Sequence, residues 1–339
     1  MGDEPKGAKK RGTGKGDFFK VDRKGWEAAT GLGLNPAVAY LVLARFTDRS
    51  NQFTAASVHA VEKHTGISRG RAKKAVEALL AKDLLRRVNA EDAVRPRYEF
   101  VISSDTSEDG RIWLPNSIVT GAANETAPVE ALRKTQDPLV LRLFVDLYRV
   151  QNLRESEGID RKVLWQKHER TPVGQAAQYQ LWSFSDGSPW VAWNNDVTPP
   201  HLIRFGGEQA GEDFFRRLRT LTALGLIEWI PHLFESDGPE AEAIHACGRG
   251  QTESLEDRLG NAAHEAAEAL LGKFRPEAVL NEEHPWMVPV PKHLVNVQMI
   301  GVARLRYRPR TALTSTWWHE VHEKGEAFLA QYKSIVDRA

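Results

Sequence analysis

The chain has 339 residues, room for two or three compact domains, and its 41% hydrophobic and 27% charged residues are ordinary for a folded protein. A single cysteine, Cys247, excludes an intramolecular disulfide and a cysteine-rich zinc framework, and no apolar run is long enough for a membrane span. The net charge of +1 conceals an uneven distribution: Lys63–Arg97 and Lys292–Arg310 are basic and Glu235–Glu283 acidic, an asymmetry that steers a protein towards nucleic acid.

In chain order, residues 1–24 are rich in Gly and Lys and are expected to form a disordered basic arm; no apolar block follows the first basic residues, so no secretory signal is expected. Asn35-Pro36 then pairs a capping residue with a proline suited to the first helical turn, ahead of Val38, Leu41, Val42 and Phe46 at helical spacing. A second helix is predicted over 55–64 and a tight turn at Thr65-Gly66-Ile67. A third helix, capped by Ser68, is predicted to reach about Lys82. Strands follow at 84–88 and 98–102, with a polar, basic connection between them.

The run Val61–Leu80 carries a resemblance. Gly66 supplies a left-handed turn, Ile67 plugs the space between two helices, and Ala72, Ala75, Val76, Leu79 and Leu80 form one apolar face. Arg69, Lys73 and Lys74 must then point the other way. This run resembles the helix-turn-helix of winged-helix DNA-binding proteins, and the resemblance implies a winged-helix domain over residues 25–102. In such proteins the third helix enters the major groove with its N-terminal residues at the base edges. Ser68, Arg69 and Gly70 are therefore the candidate base-contacting positions. Arg69 is foremost, because a guanidinium grips guanine with two hydrogen bonds. Arg71, Lys73 and Lys74 are candidate phosphate contacts, and Arg95 and Arg97 are candidates in the wing. Arg86 and Arg87 read equally well as strand-edge residues.

A second, weaker copy follows. Asp137-Pro138 repeats the cap-plus-proline start, and Val76–Val88 aligns without gaps to Leu218–Ile230. The expected second winged helix spans 137–316 behind a linker at 103–136, within which Ile112–Pro115 docks onto a domain. It carries about 40 extra residues between its first and third helices. These are assigned to a Trp-rich insertion at 165–205, read as a hairpin of 180–184 with 190–193 around Asp186-Gly187. Its wing pairs 226–234 with 297–307 and encloses an acidic insertion at 235–290 with a helix near 254–274. A C-terminal helix at 317–339 closes the chain. The fold expectation is thus mainly α with small antiparallel sheets, α+β, in two tandem winged-helix domains. Arg216, Arg217, Arg304 and Arg306 are the second copy's candidate DNA contacts; that copy serves either a second half-site or a homodimer surface. The acidic segment is a candidate protein-docking site.

No catalytic constellation emerges. The residues Gly7 and Gly12 lack the lysine of a phosphate loop. His319 and His322 are three apart rather than the four of helical zinc proteases. His245, Cys247, His264 and His284 have no spacing that demands a metal. The expectation is a cytoplasmic, non-catalytic, sequence-specific duplex-DNA-binding protein without cofactor. It would act as a transcriptional regulator or as the replication initiator of a bacterial mobile element, since tandem winged helices of this size resemble plasmid replication initiators in architecture. The competing expectation is a structural subunit of a larger nucleoprotein complex.

Overall fold

The computed structural model describes residues 17–88, 96–102, 110–122, 125–152, 158–185, 190–193, 208–272, 286–308 and 312–339. It is an α+β protein with small antiparallel sheets, divided into two compact units. The first comprises the chain up to Arg149 with Tyr307–Pro309; the second comprises Val150–Arg306 and Arg310–Ala339.

Unit 1 is organised around helix α2 (Leu34–Arg45), in which every residue from Ala37 to Ala44 is buried. Its apolar residues run all round the helix, so it must be covered on every side. Helices α3 (Val58–Thr65) and α4 (Arg69–Ala81) pack on it, as do α1 (Arg23–Gly31) and strand β1 (Phe18–Asp22). The expected arm therefore stops short of residue 18. Phe19 and Val21 are buried on either side of the partly exposed Lys20, and Asp22 caps α1 by accepting from the Gly25 amide at 2.8 Å. Residues 1–16 lie outside the described residues. The start of α2 also differs from expectation, because Gly33, at φ 108°, occupies the cap position instead of Asn35. Strand β2 (Phe53–Thr54), β3 (Leu85–Arg87) and β4 (Tyr98–Phe100) form an antiparallel sheet in the order β2-β4-β3.

The segment expected as a linker is partly folded. Strand β5 (Arg111–Pro115) pairs antiparallel with β1, Phe19 opposite Leu114 and Val21 opposite Ile112, so the apolar Ile112–Pro115 patch does dock. Helices α5 (Ser117–Thr120), α6 (Pro128–Lys134) and α7 (Pro138–Leu147) complete the unit. Asp137 caps α7, accepting from the Leu139 amide at 2.8 Å. The predicted domain start at 137 is corrected here: α7 packs against α1, α2, α6 and β5, so the compact unit ends at Arg149, after this helix.

Unit 2 begins with β6 (Gln151–Asn152), β7 (Gly158–Ile159), β8 (Leu164–Lys167), β9 (Arg170–Ala176), β10 (Tyr179–Phe184) and β11 (Trp190–Trp193). Helix α8 (Glu208–Ala223), β12 (Ile227–Phe234), β13 (Ala243–Ala246) and α9 (Leu255–Leu271) follow. Strands β14 (Trp286–Pro291) and β15 (Gln298–Leu305) and helix α10 (Ala312–Val336) complete it. The sheets are ordered β11-β8-β15-β12-β13 and β14-β10-β9. The predicted return of 226–234 onto 297–307 is present as the full β12–β15 ladder, Ile227 opposite Leu305 through Phe234 opposite Gln298. The predicted hairpin of 180–184 with 190–193 is not: β10 is flanked by β9 and β14, while β11 pairs with β8. The acidic segment proves to carry core as well as charge. Leu259, Ala263, Ala266 and Ala267 of α9 and Trp286, Val288 and Val290 of β14 are buried in one cluster with Leu181, Met299 and Tyr332.

The sequence repeat is reproduced at the level of single hydrogen bonds. Helix α4 ends at Ala81 and α8 at the aligned Ala223. Asp83 and the aligned Gly225 both take left-handed backbone, at φ 54° and 64°. The amide of Leu84 donates to Leu79 O at 3.0 Å, and that of Leu226 to Leu221 O at 2.9 Å. Val101 N donates to Leu84 O, and Arg306 N to Leu226 O, each at 3.1 Å. The strand order β2-β4-β3 of unit 1 has its counterpart in β8-β15-β12 of unit 2.

Candidate nucleic-acid interface

Local sequence sets the geometry of α3 and α4. Ser57 caps α3 by accepting from the His59 amide at 3.3 Å. Thr65 turns its hydroxyl back onto Val61 O at 2.7 Å, and Gly66 ends the helix at φ 66°. A Cβ on Gly66 would stand 3.4 Å from Glu130 Oε1 of α6, so the turn is backed as well as bent. Ile67 is buried behind it. Ser68 occupies the cap position of α4 with extended backbone, its carbonyl accepting from Ala72 N at 2.9 Å and its side chain making no cap bond.

Helix α4 buries Ala72, Ala75, Val76 and Leu79 against unit 1. This leaves Ser68, Arg69, Gly70, Arg71, Lys73 and Lys74 exposed together. The first turn of α4 contains no acidic residue but holds Arg69 and Arg71. A helix N-terminus carries positive partial charge from its unbonded amides, so cations there lower helix stability and anions raise it. This end of α4 thus concentrates positive charge where folding alone disfavours it, and its electrostatics suit a polyanion.

Two of these cations converge with a third from the sheet. Arg69 and Lys73 of α4 and Arg87 of β3 line one groove with Ser57, His59, Glu77 and Tyr98, with a volume of about 270 Å³. The Lys73–Glu77 pair at 3.8 Å is solvent-exposed and competes only weakly for the ammonium. Arg87 was as readily a strand-edge residue by sequence; the turn at Asp83 sets the register that brings it to the groove. Arg97 sits at the neck of the β3–β4 hairpin, where its carbonyl accepts from Val88 N at 2.9 Å and its guanidinium lies 5.2 Å from the Phe53 ring centre. Arg95 lies outside the described residues. His64 belongs to the packing: its ring lies 5.1 Å from that of Phe46, and burial, aided by Lys63, lowers its basicity.

The second copy's arginines are placed differently. Arg216 is exposed but paired to Asp213 at 2.7 Å. Arg217 is 4% exposed, donates to the Asp213 carbonyl at 3.2 Å and lies 3.9 Å from that residue's carboxylate, so it is corrected from a candidate DNA contact to a buried structural group. Arg304 is corrected likewise. It donates to Glu256 at 2.8 Å and to Glu228 at 3.3 Å, and although burial of Glu256 opposes ionisation, the Arg304 bond and charge hold that carboxyl below its ordinary range. Arg306 is exposed, its guanidinium over the Gly225 turn, beyond the end of β15. Of this pair, Arg304 is engaged by carboxylates within the fold and Arg306 stands outside the strand.

Among the described residues, no group of three His, Cys, Asp or Glu side chains is disposed to hold a metal ion, and no helix is long and apolar enough to cross a membrane. No protein-family model matches the chain, and no curated protein and no solved structure is found to be similar to it.

Proposed function

We propose that unit 1 contains a winged-helix module that binds duplex DNA sequence-specifically, with α4 in the major groove and the β3–β4 hairpin as its wing. The observation that carries this reading is the convergence of Arg69, Lys73 and Arg87 on one groove beside a helix N-terminus without acids. The element order α2, β2, α3, α4, β3, β4 and the sheet order β2-β4-β3 support it, being those of a three-helix module with a winged hairpin. Arg69 is assigned to a base edge; Arg71, Lys73, Lys74, Arg87 and Arg97 are assigned to phosphates.

The repeated turn and ladder of α8, β12 and β15 support a tandem architecture in which unit 2 holds a second, modified winged helix. Within this reading the chain is a transcriptional regulator or the initiator of a replicating element, non-catalytic and without cofactor. The test is selection of bound fragments from a random duplex library at two salt concentrations, with the Arg69→Ala/Lys73→Ala variant in parallel. A discrete motif that the variant loses supports the assignment. A single site favours the regulator and clustered repeats favour the initiator. Weak, motif-free binding that modest salt abolishes refutes sequence reading, because phosphate attraction alone behaves that way.

A further inference from the structure

A second basic site lies in unit 2, apart from the elements assigned to duplex binding. Among the described residues, Arg161, Lys162, Trp165, Lys167 and Ile300 surround a cavity of about 590 Å³, closed on one side by the β12–β13 turn at Asp237–Glu240. That size is typical of small-ligand pockets. The floor is set by strand register: Trp165 of β8 lies opposite Val302 of β15, and Lys167 opposite Ile300, so aromatic, aliphatic and cationic groups share a sheet face. Trp165 is partly buried against Phe234, Ile300 and Val302. Arg161 lies 4.4 Å from the centre of the Phe234 ring and donates to the Gly238 carbonyl. Its guanidinium is thus fixed at the rim.

The turn that closes the cavity meets the cations with carboxylates. Lys162 Nζ is 2.6 Å from Glu240 and Lys167 Nζ 2.9 Å from Asp237. Both pairs are solvent-accessible, and such pairs contribute little and exchange readily for another anion. Among the described residues, three cations and two carboxylates line the cavity. Two anionic groups held on adjacent cations over an indole floor make the arrangement that a phosphate group and a planar base would require.

We propose that this cavity binds a nucleoside phosphate, its base against Trp165 and its phosphate oxygens on Lys162 and Lys167 in place of Glu240 and Asp237. The same chemistry is offered by a free nucleotide and by one unit of a single strand. The acidic turn is then a competitor built into the site, displaced when the ligand enters.

The test uses the full chain carrying Arg69→Ala/Lys73→Ala, which removes two of the proposed duplex contacts, and reads this site through substitutions within the cavity, so that it can fail without bearing on the first. The probes are ATP, inorganic triphosphate and a 12-nucleotide oligothymidylate, titrated by calorimetry. ATP or the oligonucleotide is expected to bind saturably, about tenfold more weakly after Lys162→Glu/Lys167→Glu and about threefold more tightly after Asp237→Asn/Glu240→Gln. Misfolding cannot produce the second change. Trp165→Leu should weaken ATP while sparing triphosphate. Tighter binding of the oligonucleotide than of ATP assigns the site to a strand, and the reverse to a free nucleotide; both outcomes support it. The proposal is overturned if neither nucleotide probe saturates, if charge reversal leaves binding unchanged, or if triphosphate binds the unsubstituted cavity as tightly as ATP.

Discussion

Two glycines show how closely single residues are specified. Gly25 lies where a Cβ would come 2.5 Å from the Tyr40 hydroxyl, in the turn that Asp22 caps and Arg111 approaches at 3.5 Å. Gly25→Ala must displace a fully buried tyrosine and is expected to cost about 1–3 kcal/mol, read as a lower urea midpoint at unchanged slope. Gly66 is constrained by backbone, at φ 66°, more than by space. Gly66→Ala is expected to cost about 1 kcal/mol, and duplex affinity should fall with it, because the turn sets the angle at which α4 leaves α3. The arginines behave oppositely. Arg69 is exposed and buries nothing, so Arg69→Ala should leave thermal stability nearly unchanged. If Arg69 reads a base, the substitution costs about 1–3 kcal/mol of affinity and relaxes preference at one position. Lys74→Ala should weaken all sequences alike and reduce the salt slope by about one. An affinity loss in Arg69→Ala that is uniform across sequences would move Arg69 to the phosphate class.

At the scale of elements, the informative object is the helix–turn–strand unit that occurs twice. Its geometry is shared down to the Leu84–Leu79 and Leu226–Leu221 hydrogen bonds, but its turn residue differs. Asp83 holds φ 54° with a Cβ that disfavours it, whereas Gly225 holds φ 64° without that cost. Asp83→Gly is therefore expected to be neutral or stabilising in melting experiments, and Gly225→Ala to destabilise by about 1 kcal/mol; equal effects at both positions would show that the turns are not energetically equivalent. The surfaces have diverged where the backbone has not. The positions of Arg69, Arg71 and Lys73 on α4 align with Gly211, Asp213 and Phe215 on α8, and that of Arg87 with Trp229. Within α8, Phe214 is buried and stacks on Trp193 at 4.6 Å, and Arg217 is committed to Asp213. The arginines midway along α8 are therefore engaged in internal pairing with Asp213, so Arg216→Ala should change duplex affinity far less than Lys73→Ala in the same binding titration.

For the whole molecule, the imidazoles most strongly perturbed by burial lie in unit 2. Burial lowers the imidazoles of His245 and His232 from an ordinary value near 6.5 to about 4. His245 also meets the Tyr332 hydroxyl at 2.6 Å and the Ala246 carbonyl at 2.7 Å within the core. Between about pH 6.5 and 4 the unfolded chain binds protons at these sites that the folded chain does not, so stability is full above this window and falls as the pH drops through it. Thermal melts should lose stability steeply between pH 6.5 and 4.5, and His245→Gln should flatten that slope. A melting temperature constant across the window would place neither imidazole in a desolvated core.

How much of this was legible follows from the range of the interactions involved. The sequence alone determined the α3–α4 pair, its left-handed turn, the exposed basic face of α4, the β3–β4 hairpin and the Asp137 cap. Each depends on residues a few positions apart: a helical period, a glycine, a capping oxygen. The repeat was readable for the same reason, and it correctly led to the distant β12–β15 ladder. The tertiary structure decided what depends on partners far along the chain. Tyr40 and the whole circumference of α2 are buried because α1, α3, α4 and β1, the last paired with β5, cover the helix between them, which no local period announces. Trp182 and Trp193 belong to different sheets because β10 has both edges taken by β9 and β14. Arg217 and Arg304 are alike in sequence to any surface arginine; Arg304 became structural because folding brought Glu228 and Glu256 to it, and Arg217, whose partner Asp213 is one helical turn away, because packing buried its face of the helix, and burying a guanidinium requires such partners. The sequence supplies charges and periods, and long-range packing determines which charges remain at the surface to meet a ligand.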